Sequence, residues 1–303
     1  MTADDALLEL LAQLQSRNYR FTAVTPGTHA RVLQRPRPGV LTLRDIFGWN
    51  RPFEAADIDR RIMDLLRHAG AVEKARGGLR SRVRVASLCD RLFLHSSFPT
   101  EAADSVFFGP DTYRFCSFVA SELSTMKPSS WMVDMGAGSG AGGIIAASAA
   151  QASRLSLIDI NPAAARLARL NARFAGVAAE VVVADRVSGG CDVVIANPPY
   201  LIDSAHRTYR HGGRDFGGEV ALRWARQSLS SLTPGGSSLL YTGAAIVDGR
   251  SPLLEAISDL ARETSAHVTS RELDPDVFGE ELVRPEYADV ERIAAIGIKM
   301  VKR

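Results

Sequence analysis

The run Asp134-Met135-Gly136-Ala137-Gly138-Ser139-Gly140 limits what this chain can fold into more than any other stretch. It follows the apolar segment Trp131-Met132-Val133, and its alternate glycines let a backbone turn tightly and approach a ligand where side chains would intrude. A turn of this kind between a strand and a helix marks a nucleotide-binding sheet edge. Strand-like and helix-like segments alternate around it: a helix from Gly142 to Gln151, a strand at Leu155 to Ile158, a helix from Pro162 to Ala175, strands at Ala179 to Val183 and Asp192 to Ala196, a helix from Glu219 to Leu232 and a strand at Ser237 to Tyr241. This alternation predicts an α/β fold, a parallel sheet with helices on both faces.

Asp159 closes the second strand 25 residues after Asp134, where an acid can accept from both hydroxyls of a ribose, and Pro162 then opens a helix at a position that needs no N–H. Gly138-Ser139-Gly140-Ala141-Gly142-Gly143 also satisfies G-x-G-x-x-G, so the glycines alone leave an NAD-dependent oxidoreductase open. The later strand ends separate the readings: Val183-Ala184-Asp185 closes the third and Asn197-Pro198-Pro199-Tyr200 the fourth.

In this order and spacing, Asp134 to Gly140, Asp159, Asp185 and Asn197 to Tyr200 resemble the class I S-adenosylmethionine-dependent methyltransferases with an N-P-P-Y motif, over roughly residues 104–245. That group includes the release-factor glutamine, small-domain ribosomal RNA and adenine-N6 DNA methyltransferases. The resemblance implies a Rossmann-like seven-stranded sheet whose last strand, Glu291 to Val301, runs antiparallel. It implies S-adenosyl-L-methionine as cofactor, bound by Asp134, Gly136, Ala137, Gly138, Gly140, Asp159, Ile160, Asp185, Arg186 and Asn197, with Asp185 reading the adenine amino group. Phe107-Phe108-Gly109-Pro110-Asp111-Thr112 looks like the P-x-P-E-T segment of the glutamine methyltransferases, with Gly109 and Asp111 where that pattern has proline and glutamate; it adds Phe108 and Pro110 to the cofactor set. Tyr209-Arg210-His211-Gly212-Gly213 with Gly217-Gly218 resembles the glycine-bearing lid of a bacterial branch of two-domain methyltransferases.

The implied catalytic residues are Asn197, Pro198, Pro199 and Tyr200. Asn197 Oδ1 and the Pro198 carbonyl can accept hydrogen bonds from a conjugated nitrogen and help to pyramidalise it. Consecutive prolines stiffen that edge, and Tyr200 offers a π face for a planar group. The expected acceptor is a planar amide or exocyclic amino nitrogen, first of all on an RNA or DNA base; a protein glutamine and a small molecule are the alternatives. A nucleic-acid-binding module without turnover is a further reading, which the N-P-P-Y constellation argues against.

Residues 1–98 read as a second unit, mainly helical and winged-helix-like, and 99–303 as the methyltransferase domain, the boundary falling at Phe98-Pro99-Thr100. Leu7, Leu8, Leu11 and Leu14 mark a first helix ending near Arg17. Breakers from Pro26 through Pro36, Pro38 and Pro52 leave room only for short turns, one of them around Leu43 to Phe47. Ile58 to Ala69 forms a helix ended by Gly70, and a hairpin follows whose second strand alternates Arg80, Arg82 and Arg84 with smaller residues. Those arginines either meet phosphates or make a solvated face. Residues 1–92 carry 16 Lys and Arg against 10 Asp and Glu, whereas the whole chain balances 36 against 34, so the basic surplus is local.

A composition of 46% hydrophobic and 23% charged residues over 303 positions excludes a disordered or fibrous chain. No apolar run approaches the ~18 residues of a membrane helix, and Met1 to Asp5 is acidic where a signal peptide is basic, so the expected address is cytoplasmic, without a membrane partner. Cys89, Cys116 and Cys191 lie far apart and are expected to be small buried residues; no disulfide or metal is expected. His206 and His211 are expected as loop residues, His68 and His95 without catalytic partners, Trp131 and Trp224 in the core, and Glu219 at a helix start.

Overall fold

The computed structural model describes residues 1–36, 39–150, 152–205, 207 and 209–303. The chain opens with α1 (Ala3–Ser16), whose Leu7, Leu10, Leu11 and Leu14 are buried and whose start is closed by reciprocal bonds between Thr2 and Asp5. The breaker-rich stretch holds more than turns: α2 (Pro26–Leu33) is a two-turn helix. Pro26 starts it rather than breaking it, because Thr25 accepts from the Thr28 N–H and a first-position proline leaves no donor unpaired. Arg44–Gly48 forms one π-helical turn, and the expected breaker Pro38 lies outside the described residues.

α3 (Arg60–His68) precedes the hairpin β1 (Val72–Ala75) and β2 (Gly78–Ser81), and a second hairpin follows, β3 (Val83–Leu88) with β4 (Arg91–Ser96). The arginine alternation is therefore not one strand face. Arg80, on β2, bonds Glu73 across the first hairpin at 2.7 Å; Arg82 lies between the hairpins, 3.9 Å from the same carboxylate. Arg84, on β3, is 3% exposed and donates to the Ser96 carbonyl. The break has a local cause: the Arg82 N–H bonds back to the Ala71 carbonyl, and the Ser81 hydroxyl turns onto the Val83 carbonyl. The cysteine expectation also needs correction. Cys116 and Cys191 are buried, but exposed Cys89 shares with Asp90 the left-handed turn between β3 and β4.

After these come α4 (Pro110–Leu123), β5 (Trp131–Met135), α5 (Ala141–Ala150), β6 (Arg154–Asp159), α6 (Pro162–Phe174), β7 (Glu180–Val183), β8 (Cys191–Ala196), α7 (Glu219–Ser231), β9 (Leu232–Ile246), α8 (Pro252–Glu263), β10 (His267–Asp274) and β11 (Arg292–Val301). The last seven strands form one sheet in the order β7-β6-β5-β8-β9-β11-β10, with β5 to β9 parallel and β11 antiparallel to both neighbours. β11 matches the expected final strand.

The strand period of two sorts the core into two layers. On β8, Val193 and Ile195 face the layer of α4, α5 and α6, whereas Val194 and Ala196 face α7 and α8. The first layer is continuous with the N-terminal region: Leu10, Phe47, Leu65 and Val85 belong to the same packed cluster as Leu157 and Ile195. Fully buried Asn171 of α6 reinforces this junction, exchanging two hydrogen bonds with the Leu94 backbone and donating to the Ser139 carbonyl. From β5 the chain crosses to β6, and from β8 it crosses to β9 on the other side. A crevice therefore opens at the carboxyl ends of β5 and β8.

Candidate active site

A cleft of about 1160 Å³ occupies that crevice. Its floor is the turn after β5. Gly136 has φ 72°, and a Cβ there would stand 2.3 Å from the Trp224 ring, so only glycine lets α7 back the turn this closely. Gly138 has φ 55° and faces open space. Its N–H donates to Asp159 Oδ2 at 2.8 Å, while the Asn161 N–H donates to Oδ1 at 2.8 Å. Burial raises the Asp159 carboxyl above its ordinary pKa, against the pull of these two donors.

Of the residues expected to bind cofactor, Gly136, Ala137, Gly138, Asp159, Ile160, Asp185, Arg186 and Asn197 line the cleft. Ile160 is 57% exposed, and Asp185 pairs with Arg186 at 3.2 Å. Asp134, Gly140, Phe108 and Pro110 do not line it. Asp134 is 1% exposed and accepts from the Gly143 N–H at 2.7 Å, joining the end of β5 to the first turn of α5; burial pushes its pKa up to about 7. Gly140 lies against Ala168, and buried Phe108 stacks on His95. Phe108 turns inward, 1% exposed, while Val106 and Phe107 before it line the wall.

Asn197, Pro198, Pro199 and Tyr200 follow β8 directly and all line the cleft. Tyr200 is only 7% exposed. Its ring lies over Gly243 of β9, where a Cβ would stand 2.3 Å away, and meets Phe278 edge-on at 5.7 Å. Its hydroxyl donates to Asp111 Oδ2 at 2.6 Å.

The loop that carries Tyr209 to Gly213 is fastened to this motif. The Gly212 N–H donates to the Leu201 carbonyl at 2.7 Å, and Arg207 donates to Asp203 from both Nε and the backbone. Arg210 bridges Asp203 and Glu281. The Arg207 side-chain bond holds the Asp203 carboxyl at about 2, well below the carboxylate range. Tyr209 donates to the Thr100 carbonyl at 2.6 Å, and its ring runs parallel to Phe107 at 6.0 Å. His211 lines the cleft, its Nδ1 accepting from the Asp203 N–H; His206 lies outside the described residues. Glu219 also lines the cleft and accepts from the Arg214 N–H, which lowers its pKa.

Sequence reading missed several wall residues. Asp111 and Thr112 stand inside the quoted Phe107–Thr112 segment, so their signal was present; Trp224 was assigned to the core although it also meets the cleft. Phe278 carries no motif and is brought in by the turn after β10.

Comparison with known proteins agrees with this geometry. Residues 115–242 match the family described as Methyltransferase small domain. Over 168 residues the chain is 32% identical to the release factor glutamine methyltransferase of Moorella thermoacetica, a match covering 50% of this chain and 56% of that one. The chain thus spans little more than half the length of that curated relative. Among solved structures, the tRNA m1G37 methyltransferase of M. jannaschii superposes with a TM-score of 0.50 at 17% identity, over 73% of this chain and 57% of that one. Trm5b from Pyrococcus abyssi gives 0.51 at 17% identity, over 82% and 69%. At such identities these two establish the fold alone. The fold is that of the methyltransferases among these structures, and a methyltransferase family model matches within it. More particularly, the matched segment is of the methyltransferase small domain type, running from α4 into β9.

The residues present fit S-adenosylmethionine. Gly138 leaves space where any Cβ would project, Asp159 lies beside it with spare acceptor capacity, and Ile160 offers an exposed apolar face next to them.

Proposed function

We propose that the chain transfers a methyl group from S-adenosylmethionine to a planar nitrogen, with a base of RNA or DNA as the first acceptor class. The observation that carries this reading is that Asn197-Pro198-Pro199-Tyr200 and the glycine turn with Asp159 line one cleft. When bound, the cofactor supplies an electrophilic methyl on a sulfonium. The protein's own work is to orient and to favour charge development in an in-line displacement. Asp159 and the backbone at Gly136 to Gly138 hold the donor. Asn197 Oδ1 and the Pro198 carbonyl accept from the acceptor's N–H groups, withdrawing positive charge as the nitrogen becomes tetrahedral. Tyr200, Phe107 and Tyr209 provide aromatic surface for a planar group, and exposed Arg186, Arg223 and Arg226 at the cleft suit a phosphate backbone.

A second reading, methylation of a glutamine side chain in a protein, is favoured by the 32% identity to a release factor glutamine methyltransferase. Domain limits of 1–98 and 99–303, with the first unit recognising substrate, complete the proposal. Isothermal titration of S-adenosylmethionine, S-adenosylhomocysteine and NAD against wild type and Asp159→Ala tests the donor. Binding of the first two, weakened in the variant, supports the reading; binding of NAD alone overturns it. Tritiated-methyl incorporation into cellular RNA, DNA and protein fractions at rising salt then separates the acceptors, because contacts to several phosphates weaken steeply with ionic strength.

A further inference from the structure

Asp111 stands in the first turn of α4 and is 5% exposed. Tyr200 donates to its Oδ2 and Tyr241 to its Oδ1, each at 2.6 Å, the length of a charge-assisted O–H···O⁻ bond. Arg114, one turn along the helix, lies 3.2 Å from Oδ1 and 2.8 Å from Asp274, so the buried carboxylate has a compensating cation. Tyr241 is fully buried in β9 and does not line the cleft. Asp111 does line it, beside Thr112 and Phe115 of the same helix.

Three elements distant in sequence therefore meet at one carboxylate: the wall of α4, the tyrosine after β8 and the centre of β9. The Tyr200 ring is confined by Gly243 beneath it and Phe278 at its edge, and the Asp111 bond removes the remaining freedom, the swing of the Cβ–Oη axis, by anchoring its far end. A side chain that must present one face to a reacting group gains from being held before the acceptor arrives.

We propose that Asp111 is the positioning residue of this cleft, fixing the Tyr200 ring as the surface on which the methyl acceptor rests and joining that surface to α4. The inference rests on the methyltransferase reading for its purpose but not for its geometry, and the test keeps the two apart. The protein is labelled with 3-fluorotyrosine, the Tyr200 resonance is assigned through Tyr200→Phe, and fluorine spectra are compared for wild type, Asp111→Asn and Tyr241→Phe. In wild type Tyr200 gives a narrow resonance, one line for each ring orientation the fluorine takes. In Asp111→Asn that resonance broadens at least twofold as the ring axis swings, and Asp111→Glu, which restores the charge, narrows it again. Tyr241→Phe leaves Asp111 and Arg114 in place, so the Tyr200 line stays narrow, and this variant remains informative should Asp111→Asn fold poorly. An unchanged Tyr200 line in Asp111→Asn, with only the melting temperature lowered, would reduce Asp111 to a packing role and overturn the proposal. So would a broadened line in Tyr241→Phe equal to that of Asp111→Asn. Titration of wild type with S-adenosylhomocysteine runs alongside: absence of binding would sink the methyltransferase reading while the fluorine result still decides the role of Asp111.

Discussion

At the donor end of the cleft, the Asp159 carboxylate holds the Gly138 N–H across 21 positions of sequence, and the partners are mostly backbone groups of a short turn. At the acceptor end, Tyr200 is held by Asp111 across 89 positions, and the same carboxylate reaches Tyr241 across 130. One end is a backbone cradle built where two adjacent parallel strands stop; the other is a side-chain assembly drawn from a helix, a loop and a third strand. A cradle can be written as a short motif because neighbouring strand ends are placed by the sheet itself. An assembly cannot, since each member has meaning only when the others are present.

The largest expected effect falls on the acceptor end. Asn197→Ala should lower turnover roughly 100-fold while the affinity for S-adenosylhomocysteine moves less than about threefold, as measured by steady-state methyl incorporation and calorimetry. Equal losses in both would erase the division between the two ends. Asp159→Ala probes the donor end: it should weaken S-adenosylhomocysteine roughly thirtyfold, about 2 kcal/mol, and lower the melting temperature as well, because the Gly138 and Asn161 N–H groups lose their acceptor.

A finer contrast lies within the glycine turn. Gly136→Ala drives a Cβ into Trp224 and should destabilise the fold by roughly 2–3 kcal/mol in denaturant unfolding. Gly138→Ala meets open space, so it should cost only about 1 kcal/mol of backbone strain yet still obstruct the cofactor. If both behave alike, Gly138 does not face the ligand.

The smallest effect lies outside the cleft, where the N-terminal region joins the sheet layer. Burial, with Arg84 adding to it, depresses His29 to about 4 and holds His95 well below the ordinary histidine value. Both histidines are therefore neutral in the folded protein while the unfolded chain still takes up protons near pH 6.5. Their contribution is complete above about pH 6.5 and declines as the pH falls towards 4. Asp134, raised to about 7, adds stability over the same window as the pH falls, so the histidine contribution is read as the difference between wild type and His29→Gln: wild type should lose melting temperature relative to the variant with acidity. Parallel profiles would show that His29 is not buried neutral.

Much of the sheet was legible because its signals are local. Apolar runs of strand length bounded by Gly and Pro, with helical periodicity between them, mark β5 to β8 and α5 to α7 closely, whereas β9 runs from Leu232 to Ile246, well beyond the expected Ser237 to Tyr241. The glycine turn, Asp159 and Asn197 to Tyr200 were legible for the same reason, each being a strand end with its own chemistry. α2 was missed because a helix-starting proline and a helix-breaking one look alike until Thr25 is seen capping it. The arginine stripe failed because alternation in sequence was read as one strand, whereas two hairpins meet at Arg82.

The sequence by itself determined the α/β class, the strand-end chemistry and the Asn197-Pro198-Pro199-Tyr200 run that follows β8. Only the tertiary structure decided which side of the wall each residue meets: Asp134 and Phe108 inward, Phe107 and Asp111 onto the cleft. It alone decided that Tyr200 is held above Gly243 by Asp111, the carboxylate that also accepts from Tyr241. The physical reason is range. A turn or a strand end is set by dihedral preference and hydrogen bonds within a few residues, whereas a buried carboxylate shared by two distant phenols exists only once the core has closed around it.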